Sequence, residues 1–199
     1  RGFTIAISKI ITGRTQIGGI EESKGFNIMS SVFSNHLTIA GTNFPISIFW
    51  WMLFGVLGYF LLKHTQFGNW IFATGASQES AKLMGIPVQK VKISLFMLTA
   101  FCSWFITVTQ VTTFGGADVL RGEQKEFIAI IAVVIGGTLL TGGYGSIIGA
   151  MIGALIFGIV KQGIIFAGVD ADWFQVFMGV MLVSAVLVNG AFRKKYAQG

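Results

Sequence analysis

The stretch that decides the fold is Glu126–Gly163, "EFIAIIAVVIGGTLLTGGYGSIIGAMIGALIFGIVKQG". An apolar run, Phe127–Leu140, breaks into paired glycines and then resumes as Ser146–Ala167. A bilayer core of about 30 Å takes roughly 20 apolar residues per helix. The second run meets that length. The first, at 14 residues, does not, so it either starts earlier, near Glu123, or is a broken or re-entrant helix. Gly145, Gly149 and Gly153 recur every four residues, which on one helix face lets another backbone approach closely in lipid. Gly136–Gly137 and Gly142–Gly143 bracket a turn between the two helices. Tight packing is the simpler use of these glycines. The functional alternative is a glycine-rich break that lets the two helices repack during transport.

Working outward, three further runs reach spanning length: Pro45–Leu62, Ile93–Phe114 and Trp173–Phe192. Residues 1–13 read as the tail of another span, and the absence of methionine at position 1 reads as a chain missing its first part. The expected architecture is all-α, a polytopic bundle of about five spans in one transmembrane domain, 1–199. Composition agrees. The chain is 53% hydrophobic and only 11% charged, against about 25% charged in an ordinary soluble domain. Its net charge of +6 is not gathered into a patch. The basic residues sit at the ends of apolar runs, as membrane anchors do, which excludes nucleic acid as a partner. The single cysteine, Cys102, lies in an apolar run and has no partner in the chain for a disulfide. The two prolines, Pro45 and Pro87, each stand at or just before a helix start, where a missing N–H costs nothing.

Basic residues set the orientation. With loop 67–92 and the C-terminus in the cytoplasm, that side carries Lys63, Lys82, Lys90, Lys92, Arg193, Lys194 and Lys195 against Glu79. The opposite loops carry Arg121 and Lys125 against Asp118, Glu123, Glu126, Asp170 and Asp172.

Loop 67–92 is a polar interlude between two spans, and it has its own helix signals. Ser77 suits an N-cap, Glu79 the first turn, Gly85 the left-handed position past the end, and Pro87 a stop. The spacing predicts a helix of about two turns, Gln78–Met84. Isolated helices of that length do not form in water, so lipid, the chain's own spans or a partner's groove must hold it. Among polar residues inside the spans, Gln110, Thr107 and Thr109 are expected to bond to neighbouring helices. Lys161, about 10 Å from the outer end of its run, is expected to snorkel outward. Gln110, Lys161 and its neighbour Gln162 are the candidates for lining a pathway.

Catalytic and nucleotide motifs are missing from the sequence. There is no G-x-x-x-x-G-K-[ST] and no G-x-G-x-x-G opening a soluble helix. "GASQE" has Glu79 where a nucleophile elbow needs glycine, and His36 and His64 stand far apart. The chain is expected to be no enzyme, with no metal and no cofactor of its own.

The segments "FGNWIFATGASQESAKLMGIPVQKVK" and Glu126–Gly163, in this order and separation, closely resemble the permease subunits of bacterial ABC importers for simple sugars of the ribose, xylose and fructose type. The resemblance covers about Pro45 to Lys195. It implies the C-terminal part of a longer all-helical subunit of the bacterial inner membrane, multi-pass, working as a homo- or heterodimer of permeases. It implies a coupling helix, Gln78, Glu79, Ser80, Ala81, Leu83, Met84 and Gly85, docked on a separate ATP-binding subunit that carries the ATP and Mg. Gly75-Ala76 stands where the family usually has Gly-Gly, and Ser80-Ala81 where it has Ala-Ala. The acidic outer loops would face a periplasmic or extracellular sugar-binding protein. Gly136, Gly137, Gly142, Gly143, Gly145, Gly149 and Gly153 remain the packing or gating glycines. Two rival readings are weaker. An ion-coupled secondary transporter or channel ordinarily needs acids inside its spans, and these spans hold none. A membrane enzyme needs clustered His, Asp or Cys, also missing.

Overall fold

A computed structural model describes residues 6–7, 9–11, 13, 16–22, 25–39, 41–118, 120–168, 173, 176–184 and 186–187. Helix dominates. In chain order the elements are β1 (Gln16–Gly18), a 3-10 turn (Ile20–Glu22), α1 (Phe26–Phe33), β2 (His36–Ile39), β3 (Thr42–Pro45), α2 (Ile46–His64), α3 (Gln66–Ala76), α4 (Gln78–Leu83), α5 (Val88–Phe114), β4 (Gly116–Asp118), α6 (Lys125–Ile135) and α7 (Ile147–Phe166). Residues 176–184 are also helical. Three helices, α2, α5 and α7, are long and apolar enough to cross a membrane, and no more than 11% of each crossing window is buried. Their large apolar side chains face outward, as a lipid solvent permits. Pro45 closes β3 immediately before α2, and Pro87 immediately precedes α5.

The run Phe127–Leu140 is helical only to Ile135. At 1.5 Å per residue α6 is about 16 Å long, half a bilayer core. The chain then leaves the helix at Gly136, and Gly137 takes a left-handed φ of +84°. Of the apolar run Trp173–Phe192, residues 173, 176–184 and 186–187 are helical. Asp170, Asp172 and Arg193 to Lys195 lie outside the described residues.

By its contacts the chain divides into two compact units: Arg1–Phe54 with Ile93–Glu123, and Gly55–Lys92 with Gln124–Gly199. In the first unit, α1, α2 and α5 meet through Phe33, Trp50, Phe54 and Phe105. Edge-to-face pairs with centroids 4.8 Å (Phe54–Phe105), 5.1 Å (Trp50–Phe105) and 5.2 Å (Phe33–Phe105) apart use the ring quadrupoles. The Trp50 indole donates to the Val32 carbonyl at 3.0 Å. This unit also holds two small antiparallel pairings that an all-α expectation leaves out. In one, β2 and β3 form a hairpin with His36 opposite Pro45 and Ile39 opposite Thr42. In the other, β1 pairs with β4, Gln16 opposite Asp118. Strands of three or four residues fall below the length at which alternation is readable, and β1–β4 joins segments remote in sequence.

In the second unit, Ile131 and Ala132 of α6, Phe157 of α7 and Met178 form the buried core, backed by Ile128, Ile135, Met181 and Leu182. Along α2, Gly55 abuts the Met151 side chain and Gly58 faces Ile147, which brings α2 against α7.

Candidate functional site

The polar interlude folds as its sequence directs. Thr65 caps α3 by accepting from Gly68 N at 3.1 Å. Ser77 then ends α3 and starts α4 at once, with an extended φ of −155° and ψ of 115° and a side chain that accepts from Ser80 N at 3.3 Å. Glu79 lies in the first turn, where the helix dipole favours an acid. At the far end Ile86 N donates to Ala81 O and Gly85 N to Lys82 O, both at 3.0 Å. That pair is a Schellman closure, and Gly85 takes the φ of +77° it requires. The observed helix ends at Leu83 with Met84 as C-cap, one residue short of the sequence expectation.

Six residues would not stay helical alone. Two caps hold α4, and so do the Lys92 ammonium, donating to Gln78 Oε1 at 2.9 Å, and Ala81, which has 0% exposure. The C-terminal tip is unclad: Leu83 is 90% exposed and Met84 67%. An anchored short helix with two bare apolar side chains at its tip can dock on a groove or a lipid surface.

Immediately before α4, the backbone of Gly75 and Ala76 lies on the Gly142–Gly143 turn. A Cβ added to Gly75 would sit 2.5 Å from Gly143 N, and one added to Gly142 would sit 2.7 Å from Gly75 O. A Cβ on Gly143 would sit 2.9 Å from Ala76 Cα. Gly142 and Gly143 have φ of +86° and +80°, which side-chain-bearing residues rarely adopt. Gly75-Ala76 and Gly142–Gly143 are each visible in the sequence, but nothing in it says that they touch. Next to this junction, Thr74 is 7% exposed, and among the described residues its hydroxyl has no hydrogen-bond partner.

The other glycines divide by use. Gly136 packs against the Gly149–Ala150 backbone, and Gly153 against Ala132 O and Gly136, so these three set the α6–α7 distance. Gly137 faces open space. Gly145 departs from the expected ridge. Ser146 is the extended N-cap of α7, accepting from Gly149 N at 3.0 Å, so the helix starts after Gly145. Gly145 meets the Thr138 side chain instead.

The pathway candidates are spread out. Gln110 is half-buried in the first unit. In the second unit, Lys161 is half-buried and Gln162 exposed. Lys161 lies within electrostatic range of Lys125, at the start of α6, a proximity that sequence distance concealed. The expectation that the span threonines bond to neighbouring helices is not met. Thr107 donates to Ser103 O at 2.8 Å and Thr109 to Phe105 O at 3.0 Å. In a low-dielectric surround a hydroxyl's nearest acceptor is its own helix's i−4 carbonyl. Among the described residues no three His, Cys, Asp or Glu side chains gather as metal ligands.

The β1–β4 pairing is tied by Asp118, whose carboxylate accepts from Leu120 N at 2.9 Å and from Gln16 Nε2 at 3.0 Å. Arg121 stands nearby, donating to Gly116 O at 2.8 Å and lying over the Phe114 ring. The Leu120 hydrogen bond first, then Gln16 and the Arg121 charge, hold the Asp118 pKa below its usual 3.8. A lowered folded pKa stabilises the pairing above the unfolded value, and that contribution is lost as pH falls through the folded value. Amide exchange at Ile17 is expected to quicken as pH drops below 3.8, after correction for intrinsic exchange, and Asp118→Asn to remove that pH dependence. Equal pH dependence in the variant would refute this assignment.

Comparison with known proteins places the chain. Residues 2–186 match the family described as "Branched-chain amino acid transport system / permease component". The fructose import permease protein FruG of Bifidobacterium longum is 34% identical over 136 residues, 68% of this chain and 40% of its own length. The ribose import permease protein RbsC of Escherichia coli is 36% identical over 131 residues, 66% of this chain and 41% of its own. The RbsC protein of Bacillus subtilis is 31% identical over 197 residues, 99% of this chain and 57% of its own. The chain thus spans about half or less of the length of these relatives. No solved structure matches it significantly. With a family match over nearly its whole length and three helices long enough to cross a membrane, the chain belongs to this permease family of multi-pass membrane proteins.

Proposed function

We propose that this chain is part of the membrane-spanning permease subunit of a bacterial ABC importer for a monosaccharide. The observation that carries the reading is the set of relatives, whose names are ribose, fructose and xylose import permeases. The family description mentions branched-chain amino acids, but the aligned sugar permeases favour a sugar. The Bacillus subtilis alignment covers 99% of the chain, so it includes α4 and both glycine turns.

In this reading the chain does no covalent chemistry, and ATP and Mg are bound by a separate ATPase subunit. About five spans cross the cytoplasmic membrane, with loop 67–92 and the C-terminus inside, as the placement of basic residues favours. A sugar-binding protein docks outside, a second permease copy completes the pathway, and ATP-driven closure alternates its access. Leu83 and Met84, bare at the tip of an anchored α4, supply the apolar contact for the ATPase groove.

The test uses the complete importer carrying Cys102→Ser and Ser80→Cys. The expected result is a cross-link from the exposed residue 80 to the ATPase subunit that changes with ATP. If the thiol forms no cross-link and is reached by membrane-impermeant reagents only from outside, the topology is inverted and the ATPase-coupled reading fails.

A further inference from the structure

We propose that the Gly142–Gly143 turn is a mechanical stop for α4, the place where displacement of the docking helix is passed to the α6–α7 pair. The proposal rests on α4 docking on an ATPase, as above, and adds the next step of the route.

Three glycine backbones and Ala76 meet with only the Ala76 methyl, 3.0 Å from the Gly143 Cβ position, as a side chain among them. The Cβ positions of Gly75, Gly142 and Gly143 lie 2.5, 2.7 and 2.9 Å from main-chain atoms of the opposite segment. Side chains at such a contact would absorb a small displacement by changing rotamer. Main chain against main chain cannot, because close-packed backbone has no such freedom. On one side Gly75 is two residues from Ser77, the N-cap of α4, so the lever is short. On the other side the turn is closed by Gly142 N donating to Leu139 O at 3.0 Å and Leu139 N donating to Tyr144 O at 3.1 Å. That turn joins α6 to α7, which Gly136, Gly149 and Gly153 hold together backbone to backbone. Among the described residues no hydrogen bond crosses from Gly75–Ala76 to Gly142–Gly143. The contact can therefore push but not pull. Movement of α4 toward the turn displaces the helix pair, and movement away opens a gap.

The glycines provide their own controls. Gly75 lies in α3 without a left-handed φ, so Gly75→Ala acts through the contact alone, with no φ penalty of its own. Gly137, with φ of +84° and nothing within 4 Å, gives strain with no contact. Both variants are assayed in the complete importer, reconstituted with its ATPase and binding protein. The readouts are sugar moved per ATP hydrolysed, retention of the ATPase subunit, and the cross-link from Ser80→Cys in the Cys102→Ser background.

Gly75→Ala is expected to keep the ATPase subunit and its cross-link while lowering sugar moved per ATP by about tenfold, within the usual range of site-to-site coupling. Gly137→Ala is expected to leave that ratio unchanged. A normal ratio in Gly75→Ala, or an equal loss in Gly137→Ala, overturns the proposal. Should Gly75→Ala fail to assemble, Ala76→Gly removes only the methyl facing Gly143. A lowered ratio there supports the stop and an unchanged one overturns it. Failure of docking itself is read separately, as a missing cross-link in the importer with native glycines.

Discussion

In the proposed importer, Gly153→Leu is expected to separate α6 from α7, lower the unfolding midpoint of the purified complex and abolish uptake. The position of a Cβ on Gly153 is already taken up by the Ala132 carbonyl oxygen, with Gly136 N 2.6 Å away and Gly136 Cα 3.0 Å away. All three are main-chain atoms, so no rotamer change makes room. The two helices must move apart, and the contacts among Ile131, Ala132, Phe157 and Met178 loosen with them. Overpacking a close-packed site costs typically about 1–3 kcal/mol, and with backbone as the obstacle the upper end is expected. About 3 kcal/mol is a factor of roughly 150 in a folding equilibrium. Gly158, on the same helix with nothing within 4 Å, is the control. Gly158→Leu is expected to assemble and transport normally. If the two leucine variants behave alike, the glycine contact does not set the helix spacing.

The second large effect concerns binding rather than folding. Replacing Leu83 and Met84 together by aspartate is expected to leave the unfolding midpoint of the chain unchanged, since both side chains are mostly exposed and contribute little to its own packing. Association with the proposed ATPase partner is expected to weaken by about 2–3 kcal/mol, or roughly 30- to 150-fold, the scale of an interface anchor lost to truncation or charge. Titrating the purified ATPase subunit onto reconstituted permease measures it. Unchanged association would make α4 a connector lying on the lipid surface, the plainer of the two roles open to a short amphipathic helix. The caps at Ser77 and Gly85 and the Lys92–Gln78 bond are untouched by these substitutions. Because acids at a helix C-terminus oppose its dipole, the uncharged pair Leu83→Ser with Met84→Ser is the control and is expected to weaken association in the same direction.

Much of the chain was legible one segment at a time. The low charge and the long apolar runs announced membrane helices, because each lipid-facing helix satisfies its own backbone and needs only length and composition. The start of α4 at Gln78 and its end by Gly85 were likewise readable, since caps and Schellman closures are made by residues within a few positions of one another. The family resemblance rested on the same local motifs.

What the sequence by itself determined was therefore the solvent, the long helices and the punctuation of α4. Tertiary structure alone decided the rest. It placed Gly75 on Gly142 and Gly143, took Gly145 out of the helix ridge, stopped α6 at Ile135, paired β1 with β4 and brought Lys125 near Lys161. It also showed Thr107 and Thr109 bonded back to their own helix. The physical reason is that a glycine states only that a backbone may come close, not which one. Which backbone arrives depends on the packing of helices remote in sequence, and that packing is set by the whole fold.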